Sequence, residues 1–136
     1  MNIDAENLIL GRVASYAAKK ALNGETINIL NCNKVIMIGG KKQLLDRYLQ
    51  KIHLGSRPPK GPFFPKTPER MVKRAIRGML PYKQYKGKIA FDRIKCYNEI
   101  PESLKNEKLT DIKAKNLSQI KTLKYIYLKD LSRLVG

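Results

Sequence analysis

Residues 51–90 of this chain carry eleven Lys and Arg against a single acid, Glu69, and so hold ten of its seventeen surplus positive charges. Any fold must keep that stretch at a surface, against water or against a polyanion, because like charges crowded in a core are not tolerated. The flanks are milder, at +3 for residues 1–50 and +4 for residues 91–136. Self-repulsion on this scale lowers folding stability, so it points to a polyanionic partner, nucleic acid before an anionic membrane. The 136 residues fit one domain spanning 1–136, and a 43% hydrophobic content suffices for one core. No run approaches the ~20 apolar residues of a membrane span. Met1–Glu6 lacks the basic and apolar regions of a secretory signal. The expectation is a soluble intracellular protein with no membrane partner.

The first half alternates strand-like and helix-like segments, which predicts an α/β fold. Met1–Ala5 reads as a short first strand. From Gly11 to Leu22, Val13, Ala14, Ala17, Ala18, Ala21 and Leu22 share one helical face, and Asn23-Gly24 is a stop. Thr26–Leu30 and Val35–Ile38 read as strands, the second apolar throughout as if covered on both faces. Lys41–Ile52 returns to helical spacing through Leu44, Leu45, Tyr48, Leu49 and Ile52. Later, Ile94–Tyr97 and Lys124–Leu128 read as strands, the latter leading to a last helical turn or two. Residues 101–110 read as polar and helical only in part.

Between these halves, residues 53–66 hold four of the seven prolines and predict a long basic loop, neither helix nor central strand. Phe63-Phe64 within it serve either to anchor the loop or to stack on a base. Thr67-Pro68-Glu69 then opens a helix with a capping residue, Pro at the first position and an acid in the first turn. That helix runs to Leu80 and stops at Pro81. On it Arg70, Lys73, Arg74 and Arg77 fall within an arc of about 100°, opposite Met71, Val72, Ala75, Ile76, Met79 and Leu80.

No catalytic constellation emerges. Val35–Ile38, Gly39-Gly40 and Lys41-Lys42 form the skeleton of a nucleotide-binding turn. The full Walker or dinucleotide spacing is missing, and no Ser or Thr follows the Lys to hold magnesium. The turn is either a tight strand-to-helix connection, a contact for a phosphate of a larger polyanion, or the site of a small nucleotide-binding enzyme. His53 is the only histidine and stands beside Lys51 and Arg57, better placed for phosphate or base contact than for catalysis. Asp4/Glu6 and Glu99/Glu102 have no third acid or His beside them. Cys32 and Cys96 read as reduced, buried small hydrophobes, and two cysteines with one histidine cannot assemble a four-ligand zinc site. No cofactor, metal or small-molecule substrate is expected.

The nucleic-acid reading draws on two features that agree. Arg57, Lys60 and Lys66 ride the Pro-stiffened loop with Lys51 and His53 at its entrance, and Arg70, Lys73, Arg74 and Arg77 line a free helix face. Lys83, Lys86 and Lys88 continue past Pro81, interleaved with Tyr82 and Tyr85, and residues 70–90 contain no acid at all. Arg makes bidentate phosphate contacts and Tyr stacks on bases.

Leu10-Gly11-Arg12-Val13-Ala14-Ser15 resembles the opening signature of the large-subunit ribosomal protein thirteen family, and Arg74-Ala75-Ile76-Arg77-Gly78-Met79-Leu80-Pro81 resembles its most diagnostic segment. The order of the parts between them, with the Ile38-Gly39-Gly40 turn and the Gly55-to-Pro65 loop, is similar to the archaeal branch. Likeness covers about residues 1–100 and returns at Tyr127–Leu134. The resemblance implies a three-layer α/β/α fold with a small, mainly parallel four-stranded sheet. It also implies attachment to 23S-type ribosomal RNA beside neighbouring large-subunit proteins, a role in early assembly of the subunit, and no catalysis. Of its RNA-facing positions, Arg12, Arg74 and Arg77 match here. An alternative is a regulatory RNA-binding module working off the ribosome.

Overall fold

The computed structural model describes residues 1–55, 60–112 and 117–136, Leu117 by its backbone alone. In chain order the elements are β1 (Asn2–Asp4), α1 (Leu10–Leu22), β2 (Ile27–Leu30), β3 (Ile36–Ile38), α2 (Lys41–Ile52), α3 (Pro68–Met79), α4 (Tyr85–Asp92), β4 (Ile94–Cys96), β5 (Leu109–Thr110), β6 (Tyr125–Tyr127) and α5 (Leu128–Val135). Four strands pair in the order β4-β2-β1-β5, every pairing parallel, and give the small α/β fold that the alternating segments predict.

Strand alternation divides the sheet into two unlike faces. Ile3 lies opposite Ile29, and Ile27 opposite Ile94, all four without solvent exposure. The steps β1→β2 and β2→β4 run the same way across the sheet, so right-handed crossovers bring their helices to one face. There α1 packs on both α3 and α4, and the three share one core with the isoleucines. The contact is close because α1 presents Ala14, Ala17, Ala18 and Ala21 inward, all buried. On the opposite face Asn2, Asn28 and Lys95 stand side by side. Asn28 Nδ2 donates to Asn2 Oδ1 at 2.9 Å, and Asn2 Nδ2 donates in turn to Glu107, just ahead of β5.

Helix α3 follows its expected span, but its cap differs. The Thr67 side chain makes no capping hydrogen bond. Instead the first-turn amide of Glu69 donates to Asn98 Oδ1 at 3.2 Å, so the cap comes from 29 residues away, just after β4. Met71, Val72, Ile76 and Leu80 are buried, whereas Met79, at the frayed end of the apolar stripe, is 45% exposed.

At several places the structure departs from the sequence reading or adds to it. Val35–Ile38 is not a strand covered on both faces: β3 pairs antiparallel with β6 in a separate two-stranded ribbon, and Ile38 at its outer end is 41% exposed. The lysine-rich segment after Pro81, to which the sequence reading assigns no regular structure, enters α4. Its Gly87 hides the helix from a propensity reading, yet a Cβ there would lie 2.0 Å from the Pro81 carbonyl oxygen, so only glycine admits the close approach. Residues 101–110 are helical only in part, as expected, with a 3-10 turn at Glu102–Leu104, and add the two-residue β5, too short to leave a period in sequence. As for the thiols, Cys32 is buried as expected, but Cys96 is only half-buried, and both are free. Hydrogen bonding to Cys96, then burial, pushes the Cys32 thiol well above the usual range, which makes it inert as a nucleophile.

Two glycine substitutions should act with opposite sign. Gly87→Ala, forced against a backbone carbonyl, should cost about 3 kcal/mol in urea unfolding. Gly78→Ala, with nothing within 4 Å of the added methyl, should stabilise α3 by about 0.5 kcal/mol. In the same assay Asn98→Ala should cost about 1 kcal/mol, the usual loss of a helix cap, and Thr67→Ala clearly less.

Candidate nucleic-acid interface

The basic arc of α3 exists because the other side of the helix is spent in the core. Arg70 and Arg74 are exposed, and Lys73 and Arg77 are half-exposed because each lies over an aromatic ring. The Lys73 ammonium sits 4.7 Å from the centre of the Phe91 ring, and the Arg77 guanidinium 4.1 Å from that of Tyr82. These cation–π contacts fix where the charges point without neutralising them. Lys83, Lys86 and Lys88 follow on the turn and on α4, all exposed. The arc and the α4 lysines thus belong to two helices joined by one tight turn, in which Gln84 N–H donates to the Pro81 carbonyl at 2.9 Å.

The basic loop splits its two phenylalanines between the roles open to them. Phe64 anchors: its ring meets Tyr48 of α2 edge-on at 5.4 Å, and the Lys51 ammonium lies 5.1 Å from its centre. Phe63 remains 79% exposed. The loop's far end is tied down where Ser132 Oγ of α5 donates to the Lys66 carbonyl at 2.6 Å. His53 ends α2 and is exposed, as are Lys51, Lys60 and Lys66. Arg57 lies outside the described residues. Arg12 is exposed in the first turn of α1, on the helix that carries α3 and α4.

One cation goes unnoticed in the sequence reading. Lys95, exposed at the middle of β4, lines a shallow groove with Arg70 and Lys73. The only hint in sequence is its alternation with Ile94 and Cys96, which turns it away from the core. The packing of α3 on β4 supplies the rest.

Electrostatically the surface is unopposed. Among the described residues the ion pairs are Lys20–Glu25 at 3.3 Å and Lys34–Glu6 at 2.8 Å, neither involving a cation of residues 51–90. Glu69, the single acid of that stretch, turns one carboxylate oxygen inward, where it is buried. Hydrogen bonding to Glu6 raises the Lys34 pKa, as a paired ammonium should behave.

The Gly39-Gly40 turn resolves toward packing. Gly39 has φ +143°, and a Cβ there would meet the Leu44 side chain at 3.4 Å. Since β3 stands outside the parallel sheet, this is not the strand-to-helix phosphate cradle of a βαβ unit. Among the described residues no group of three or more His, Cys, Asp or Glu could hold a metal ion.

The family model described as "Ribosomal protein L13" matches residues 1–103. A "Large ribosomal subunit protein uL13" of Archaeoglobus fulgidus is 42% identical, covering 98% of this chain and 86% of the relative. The protein of the same name from Thermoplasma volcanium is 39% identical over 98% of this chain and 96% of its own length, and that from Methanosarcina barkeri 42% over the same shares. With the family model spanning three quarters of the sequence and archaeal relatives nearly all of it, the chain belongs to the ribosomal protein L13 family.

Proposed function

We propose that this protein binds 23S-type ribosomal RNA through the basic surface of α3, α4 and the 60–66 loop, beside neighbouring large-subunit proteins, and supports early assembly of the subunit. It is an archaeal-type structural protein of the large ribosomal subunit in the cytoplasm, serving translation and catalysing no reaction. The observation that carries the RNA reading is the absence of acid partners: among the described residues, no cation of that surface forms an ion pair. Unpaired Arg and Lys on a packed scaffold are ready to replace the counterions around phosphates, and releasing those ions drives binding. Arg70, Arg74 and Arg77 supply planar forks for phosphate oxygens, and Lys73, Lys83, Lys86, Lys88 and Lys95 supply point charges. Lys51, His53, Arg57, Lys60 and Lys66 extend the footprint along the loop, and Arg12 marks its border on α1. A prefolded basic surface also suits early assembly, because it offsets the mutual repulsion of phosphates while the RNA compacts.

Replacing Arg70, Lys73, Arg74 and Arg77 with Gln should reduce the steepness of log affinity against log salt by about 3, at roughly 0.7 to 0.9 per phosphate contact. Circular dichroism should be unchanged, since none of the four belongs to the core. An undiminished slope would remove this surface from the contact. In gradient fractionation of cells making the protein, it should travel with large subunits and stay through a high-salt wash. Recovery at the top of the gradient would instead mark a regulatory RNA-binding module.

A further inference from the structure

In and beside the basic stretch three aromatic rings already have partners. Phe64 packs on Tyr48, Phe91 lies beneath Lys73 and Tyr82 beneath Arg77. Phe63 and Tyr85 are different: they are 79% and 80% exposed and enter none of the ring contacts found among the described residues, and of the two only Tyr85 is carried by a helix. It begins α4, with exposed Lys83 and Lys86 on either side in sequence and Lys88 three positions along the same helical face. The helix beneath it is held firmly. Gly87 fits so closely against the Pro81 carbonyl that a methyl group there would overlap it, and Lys88 N–H donates to the Gln84 carbonyl at 3.1 Å. A large ring is therefore kept in water, on a firmly held backbone, within the most basic stretch of the sequence.

We infer that Tyr85 is a stacking platform for an unpaired base of the bound RNA. Every base has a π-face, the surrounding ammonium groups suit the phosphates on either side of it, and a tyrosine, with only two side-chain torsions to settle, loses little freedom on stacking. Phosphate contacts orient the RNA on this surface but do not distinguish paired from unpaired nucleotides. A free ring does, because the base must leave its helix to reach it. Tyr85 thus selects a bulge, loop or junction over a continuous duplex. The inference rests on the RNA-binding reading above and extends it from charge to the conformation of the nucleotide.

The test uses the full chain and a large-subunit ribosomal RNA transcript, with affinities measured across a salt series. Tyr85→Ala should weaken binding about tenfold, within the range of one lost base–aromatic stack, and leave the salt slope unchanged because no counterion is released by stacking. Tyr85→Phe should bind as the natural protein does. Lys86→Gln should lower the slope by about 0.7 to 0.9. Wild-type affinity in Tyr85→Ala would overturn the inference while a steep slope kept the RNA reading, and would leave the ring to a protein neighbour. An equal loss in Tyr85→Phe would overturn stacking in favour of the hydroxyl, and a slope lowered by Tyr85→Ala would show the loss to be electrostatic. Absence of salt-dependent binding in the natural protein would overturn both readings together.

Discussion

Everything about the basic surface depends on the burial of one side of α3. Met71, Val72 and Ile76 are held against α1 over the isoleucine face of the sheet, and burying three such side chains is worth roughly 5 to 9 kcal/mol at about 1.5 to 3 each. That gain offsets the repulsion among the four cations on the other side. The alanines of α1 make it possible, because larger side chains would lift α3 off the sheet and draw the Glu69 amide away from Asn98. Charge display and core formation are thus two faces of the same twelve residues.

A free protein with this much unpaired charge needs some means of orienting its cations other than acids, which would compete with RNA for them. Aromatic rings provide it. Lys73 over Phe91, Arg77 over Tyr82 and Lys51 over Phe64 are each set in place by a ring that carries no net charge. The acids lie elsewhere. Asp4 ends β1 and Glu6 follows it, accepting hydrogen bonds from Asn31 and Lys34, and Glu107 closes the asparagine ladder on the polar face of the sheet. Among the described residues the molecule therefore has a basic side free of acid partners and a polar side occupied by its own hydrogen bonds.

Much of this was legible from local pattern. The alanine stripe of α1 and the segregated arcs of α3 follow from helical periodicity, and the prolines of residues 53–66 exclude regular structure there. What escaped depends on residues distant in sequence. Helix α4 is masked by Gly87, whose reason is a carbonyl six residues earlier. The cap of α3 comes from Asn98 rather than Thr67, because after β4 the chain returns beside the helix start. Lys95 joins Arg70 and Lys73 only when α3 lies on β4. The ribbon formed by β3 and β6 joins segments almost ninety residues apart, so an apolar run at Val35–Ile38 could not reveal which strand it pairs with or that Ile38 stays exposed. The family motifs at Leu10–Ser15 and Arg74–Pro81 pointed to the large ribosomal subunit, where charge alone indicated only a polyanion.

Ultraviolet cross-linking of intact large subunits, with the joined peptides identified by mass spectrometry, addresses the central claim most directly. If α3, α4 and the basic loop face ribosomal RNA, nucleotide adducts should concentrate on peptides from residues 60–95. Adducts confined to the peptides bearing Asp4, Glu6 and Glu107, with none on α3 or α4, would contradict the account.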